Sequence, residues 1–272
     1  MTAVAVLADL QAVVDAGADY PARVEAARAQ WDQKGSTQAK TAAFRTVRAT
    51  LAGMCVGPVR CAYCEDSLAD EVEHIVPKTL FPERAFDWQN YLYACGPCNG
   101  PKSNRYGVWT GVEIIEFVRR RGASIVPPPT GMSGFVDPRT ENPLCFFELD
   151  MGGVTPGGDL IKGTFELLPV DGLPNVVSAR ARFTIDVLGL NREVIRVARE
   201  NAFGGFRARL REYTKCKETG EPASTLDRMK WDLLSTPHLT VFAEMQRQRS
   251  LLPEIDSLFE RVPEATTWPL VR

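Results

Sequence analysis

Basic charge is scarce in this chain. Its 32 Lys and Arg residues stand against 34 Asp and Glu, a net charge of −2, so it lacks the surplus with which a protein ordinarily neutralises a phosphate backbone. Any grip on nucleic acid has to come from a local patch or from a partner. Long apolar runs are lacking too: no stretch of about 18 apolar residues occurs, which excludes an apolar helix spanning a bilayer. The opening MTAVAVLADLQAVVDAGADY has no basic n-region, and Asp9 and Asp15 interrupt it at helical spacing. A helix is expected there rather than a secretion signal, and with it a cytoplasmic location and no membrane partner. Internal repeats and low-complexity tracts are absent. Histidine is down to His74 and His238. Against this, seven cysteines are many, and in a reducing cytoplasm they point to metal rather than disulfides.

With 272 residues, 44% of them hydrophobic, the chain is long enough to bury a real core. The first 55 residues read as helical: Pro21 sits where a first turn tolerates it, and Phe44, Val47, Leu51 and Met54 recur at three- and four-residue steps. After the cysteine-rich centre, Ile114, Ile115 and Val118 predict a short amphipathic helix ending in Arg119, Arg120 and Arg121 before Gly122. That arginine run is either a helix terminus or a phosphate contact. Residues 125–175 are rich in Pro and Gly, with strand-like LCFFELD and TFELLPV joined across MGGVTPGGD. From Asn191 to Lys215 helical periodicity returns: Ile195, Ala198, Ala202, Phe206, Leu210 and Tyr213 form one stripe, with Gly204 and Gly205 a possible break.

The chemistry is concentrated between Arg60 and Gly107. Cys61 and Cys64 form one C-x-x-C and Cys95 and Cys98 another, and two such pairs can present four thiolates tetrahedrally to a structural Zn²⁺. The long interval means that the metal staples the ends of something substantial. Between the pairs lie EHIVPK with Glu73 and His74, the aromatic stretch AFDWQNYLYAC, and then CNGPKSN, with Asn99 and Lys102. Lys102 either meets a substrate phosphate or is a solvated lysine. Trp88, Tyr91 and Tyr93 either stack on bases or build the module's core. Cys55, Cys145 and Cys216 lack paired spacing and read as buried thiols. His238, in STPHLT, reads as a loop or helix-start residue.

Across these fifty residues the chain resembles the HNH, or ββα-metal, nucleases. In that pattern an acidic residue and a His open the motif on a strand, an Asn sits in the loop before the helix, and a His or Asn lies on the helix. Glu73-His74, Asn90 and Asn99 take those places in order. The acid is Glu rather than the commoner Asp and the last position is Asn99 rather than His, a donor set that suits Mg²⁺ or Mn²⁺. The flanks FRTVRATLAGMCVGPVRCAYCE, FVDPRTENP and TIDVLGLNREVIRVAR are similar to HNH proteins of retron- and Septu-type bacterial antiphage defence systems.

The resemblance implies an α+β fold. A zinc-stapled HNH core at 57–110 would sit between an N-terminal helical region, 1–56, and a mixed α/β C-terminal region, 111–272, helical from about 180. It implies a metal-dependent endonuclease hydrolysing DNA, the effector of an antiphage system, with a defence-system ATPase or retron complex as protein partner. His74 is then the general base, Glu73 and Asn99 hold the catalytic ion, and Asn90 pins the loop beneath the His by backbone hydrogen bonds while a peptide carbonyl fixes the imidazole tautomer. The alternatives are an HNH-type RNase and a non-catalytic zinc module binding nucleic acid or protein. Because the core holds only Arg60, Lys78, Arg84, Lys102 and Arg105 against seven acids, recognition is expected elsewhere: the helical face of Arg192, Arg196 and Arg199 either lies near the active-site groove or meets a nucleic-acid-bearing partner, the alternative being a solvated helix face.

Overall fold

The computed structural model describes residues 2–55, 57–119 and 122–269. Three helices open the chain: α1 (Ala3–Asp15), α2 (Tyr20–Asp32) and α3 (Gln38–Gly53). Each starts where a side-chain oxygen accepts from an otherwise orphaned amide: Thr2 from Ala5, Asp19 from Ala22 and Thr37 from Lys40. Their apolar faces close over Phe86 and Tyr91 of the next segment. Phe44, Val47 and Leu51 of the expected stripe are buried, but Met54 caps α3 on the outside.

The centre is a ββα unit. Strand β1 (Glu71–His74) pairs antiparallel with β2 (Tyr91–Ala94), His74 facing Tyr91 in register, and α4 (Gly96–Lys102) follows directly. The α+β class and the placement of this unit between N-terminal helices and a mainly helical C-terminal part are as expected. The loop joining β1 to β2 is held from both sides. Gln11 of α1 donates to Pro82 O and accepts from Phe86 N, and Tyr20 of α2 donates to Leu80 O. Arg119 donates to Thr79 O and to the Tyr20 hydroxyl.

The segment expected as a helix after the core is a strand. β3 (Tyr106–Trp109) carries β4 (Ile114–Phe117) on one edge and β5 (Met132–Ser133) on the other. Ile114 and Ile115 sit at neighbouring positions, and the pairing of Val108 with Ile115 and Trp109 with Ile114 uses a two-residue period that the helical reading overlooked. Arg119 lies beyond the strand as a bridging group, and Arg120 and Arg121 lie outside the described residues. Gly107 is required where β3 meets α5 (Asn175–Leu188): a Cβ there would stand 2.6 Å from Ile114 Cγ2 and 2.7 Å from Phe183 Cζ.

The strand-like pieces do pair. β6 (Phe147–Leu149) is bonded to β9 (Leu167–Pro169), and between them β7 (Gly152–Val154) and β8 (Leu160–Lys162) form a hairpin closed by Thr155 and Asp159. Then α5 leads into α6 (Glu193–Glu218), α7 (Ala223–Leu234), α8 (Leu239–Arg247) and α9 (Pro253–Arg261). Helix α6 runs unbroken through Gly204 and Gly205, because Ile195, Phe206, Leu210 and Tyr213 keep one buried stripe across them. His238 is the first cap of α8.

One ion pair fastens the segment after β5 to α5. Arg180 donates Nη1 and Nη2 to the two carboxylate oxygens of Glu141 at 2.7 Å each, Nε to Ser133 O and Nη2 to Phe135 O. Partial burial alone would raise the Glu141 carboxyl, but the guanidinium outweighs it and holds the group below its ordinary range. Glu141→Gln should therefore lose about 1–3 kcal/mol in urea unfolding at pH 7, the cost of breaking charge-assisted bonds to a buried partner. A group with a depressed folded pKa gives its stabilisation above its unfolded pKa and loses it as pH falls through the folded one. The gap between parent and variant should accordingly close on acidification below the usual carboxylate range, and a gap that widens there would refute the assignment.

Candidate active site and metal centre

The four paired cysteines converge. Cys61 and Cys64 lie in the turn before β1, Cys95 caps α4 and Cys98 is on its first turn; all are buried and their sulfurs lie within 4.8 Å of one another. A tetrahedron of Zn–S bonds of about 2.3 Å spaces its sulfurs by about 3.8 Å. The Cys64 and Cys95 sulfurs are 3.9 Å apart, right for ligands of one ion and far beyond a disulfide bond. The thiols also contend for protons: Cys61 is pushed up to about 12, first by its hydrogen bond with Cys64, while Cys64 is pulled down by the same bond. The cluster can hold a zinc ion, which when bound would neutralise this crowding.

Arg192 completes the surroundings. Pro101 has no N–H, so the carbonyl of Pro97, four residues earlier in α4, has no helical donor. Arg192 Nη1 donates to it at 2.9 Å, and Nη2 approaches Cys98 Sγ at 3.5 Å. The rest of the expected recognition face is also committed internally. Arg199 is buried and donates to Phe165 O, and Arg196 pairs with Glu166. The arginine face is therefore corrected in part: Arg199 is buried, while Arg192 and Arg196 are half-exposed but already bonded within the protein.

The second constellation surrounds a polar cleft of about 360 Å³, lined by Glu71, Glu73, His74, Lys78, Asn99 and Trp31 among others. His74 Nε2 is 2.9 Å from Ala85 O, which also accepts from the Tyr91 hydroxyl at 2.8 Å. A carbonyl only accepts, so Nε2 carries the proton and Nδ1 is the basic nitrogen. Trp31, at 4.3 Å between ring centroids, and Tyr91, at 5.2 Å, pack edge-on against the imidazole. Burial, followed by the Lys78 ammonium, holds its pKa well below the ordinary histidine value, leaving a neutral base. Asn90 is fully buried: Oδ1 accepts from Val76 N at 2.8 Å, and Nδ2 donates to Val76 O and Arg84 O. It closes the loop that presents Ala85 O.

Asn99, on α4, donates Nδ2 to Glu71 Oε2 at 2.6 Å. That bond fixes which way the amide faces and leaves Oδ1 as the free donor atom. Glu71 escaped the sequence reading, although its place two residues before Glu73 on a strand puts both on one face. Trp31 and Lys78 escaped it as well. The tryptophan comes from a helix forty residues away, which no local motif could reveal.

Lys102 is not a solvent-facing phosphate contact. It is completely buried, its ammonium paired with the Glu73 carboxylate and donating to His74 O at 2.7 Å. Burial pushes the Glu73 carboxyl up, against the pull of this ammonium. Of the aromatics, Tyr91 is core, and Trp88 is covered by the Arg139 guanidinium at 4.9 Å. The unpaired thiols are not all buried: Cys145 is exposed, and Cys55 and Cys216 are half-exposed.

Two outcomes are expected. Elemental analysis should find one zinc per chain, and Cys95→Ser should lose both the metal and the cooperative thermal transition, because binding of a structural zinc is coupled to folding; less than about half an equivalent in the parent would contradict a closed site. Lys102→Met should lower stability in denaturant unfolding by about 3–5 kcal/mol, the penalty for leaving a buried partner charge alone. A surface lysine would change it by no more than about 0.5 kcal/mol.

No protein-family model matches the chain. Part of it is similar to the Septu protein PtuB of Bacillus thuringiensis, 42% identical over 48 residues, which covers 16% of this chain and 19% of the length of that relative.

Proposed function

We propose that the chain is a metal-dependent HNH-type endonuclease that hydrolyses phosphodiester bonds in DNA, working in antiphage defence with a protein partner such as an ATPase or retron complex. The observation that carries the reading is the convergence of Glu73, His74 and Asn99 on one polar cleft, with the imidazole proton committed to Ala85 O. A desolvated, neutral His lining a polar cleft with its second nitrogen unbonded supports a catalytic task over a purely structural zinc module. The similarity to a Septu protein supports the defence setting.

His74 Nδ1 takes a proton from water, the oxygen attacks phosphorus, and the P–O3′ bond breaks, leaving a 5′-phosphate and a 3′ alkoxide that takes a proton from solvent to become the hydroxyl. Glu73 and the Oδ1 of Asn99 would hold Mg²⁺ or Mn²⁺, which supplies charge stabilisation at the phosphate and the departing oxygen. Glu71 keeps the Asn99 amide in the orientation that offers oxygen rather than nitrogen. Lys102 holds Glu73 in place from beneath. Asn90 and Ala85 keep the histidine in its basic tautomer. The zinc ligands lie outside the cleft lining, which supports separate tasks for the two metals.

His74→Gln should lower nicking of supercoiled DNA by about 10²–10⁴-fold, the usual worth of a general base, while zinc content stays at the parent level. Glutamine is preferable to alanine because the imidazole fills space between Trp31 and Tyr91. EDTA should stop the parent enzyme and Mg²⁺ or Mn²⁺ restore it. Cleavage at the parent rate by the variant would remove His74 from the mechanism. A parent that nicks no DNA but cuts RNA would favour the ribonuclease reading, and one that cuts neither would leave the non-catalytic zinc module.

A further inference from the structure

With Lys102 buried under Glu73, a phosphate entering the cleft needs another cation. Two lysines stand at or beside the cleft with no carboxylate within ion-pair distance, although Glu73 and Asp32 are near enough to Lys78 to act on its charge. The Nζ of Lys34 is 4.9 Å and that of Lys78 5.1 Å from the centroid of the Trp31 ring, and that ring packs on His74 at 4.3 Å. Lys78 itself lines the cleft. Among the described residues its ammonium makes no hydrogen bond and no ion pair, and that of Lys34 donates only to the carbonyl of Trp31 at 3.3 Å.

The contrast with the other cations of this region is informative. Arg84 is paired with Asp87 and Arg105 with Glu116, so their charge is already answered. An indole face attracts an ammonium through its quadrupole without neutralising it. It therefore holds Lys34 and Lys78 near enough to His74 to act on its charge, with no direct ion pair to prevent them from meeting an anion. Lys78 is half-buried as well, and burial first of all lowers its pKa, a cost that an incoming phosphate would recover.

We propose that Lys34 and Lys78, held on the Trp31 indole, bind the non-bridging oxygens of a DNA phosphate beside the bond that is cut, so that α2 and the turn after it form one wall of the nuclease cleft. The inference rests on the nuclease reading. It explains how a core with more acids than bases can still engage a phosphate backbone: one of the two cations comes from the N-terminal helices.

The test uses the full zinc-loaded chain and a fluorescein-labelled 20-bp DNA duplex, with affinity measured across a salt series and cleavage measured with Mg²⁺. The Lys34→Gln/Lys78→Gln double variant should bind more weakly, with the slope of log K against log salt shallower by about 0.9 for each lysine that contacted phosphate. Its KM should rise while its zinc content stays unchanged, and Lys34→Arg/Lys78→Arg should restore the slope. A structural role alone would not move the slope. Should the double variant fold poorly, Lys34→Gln by itself, just past the end of α2, should still flatten the slope by about 0.9. An unchanged slope and affinity in variants of a parent that cuts DNA would overturn the clamp and leave the nuclease standing. A parent that neither binds nor cuts the duplex would overturn both.

Discussion

Four cysteine sulfurs confined to a space one metal ion wide fix the rest of the central unit. They tie the turn at 61–64 to the first turn of α4, and α4 is too short, and too interrupted by Pro101, to stand alone. Once its start is clamped, its two remaining functional residues have determined positions. Asn99 comes up beside Glu71 on β1, and Lys102 comes down under Glu73. A helix free to slide or fray would place neither.

The same unit buries an unusual amount of polar chemistry. His74, Glu73, Asn90 and Lys102 are all nearly or wholly out of water, and each is tolerable only because its neighbours answer it. Asn90 spends its acceptor and both its donors on the backbone of the loop it closes. Ala85 O receives two donors, one from the imidazole and one from Tyr91. This makes the loop from Ile75 to Asn90 part of the site's rigidity, and explains why α1, α2 and Arg119 all bond to its outer side.

Cations are distributed in the same economical way. Arg180 fastens the segment after β5 to α5, Arg192 answers the carbonyl that Pro101 leaves free, and Arg199 fills a buried position against Phe165 O. A local excess of basic residues from 180 to 215 is thus largely structural. The near-neutral overall balance of the chain is consistent with this. Many of its cations have partners inside the protein, whereas Lys78 at the cleft makes no ion pair or hydrogen bond among the described residues.

The sequence by itself determined the features that local spacing encodes. The paired cysteines and the N-terminal helices could be read along the chain, because a metal ligand pair and a helix period are each short-range patterns, whereas the acid-histidine step on a strand and the later asparagines came from the resemblance to HNH nucleases. The same local logic misread Ile114–Phe117 as helix, where pairing with β3 decided the outcome, and placed Lys102 and Arg199 at the surface. Whether a cation faces water or a buried carboxylate depends on what lies opposite it, and that is set by elements tens of residues away. Only the tertiary structure could bring Trp31 and Lys34 of the N-terminal region beside His74, put Glu71 against Asn99, and turn Lys102 inward, because each contact exists only once three separate stretches of chain have packed against the clamped ββα unit.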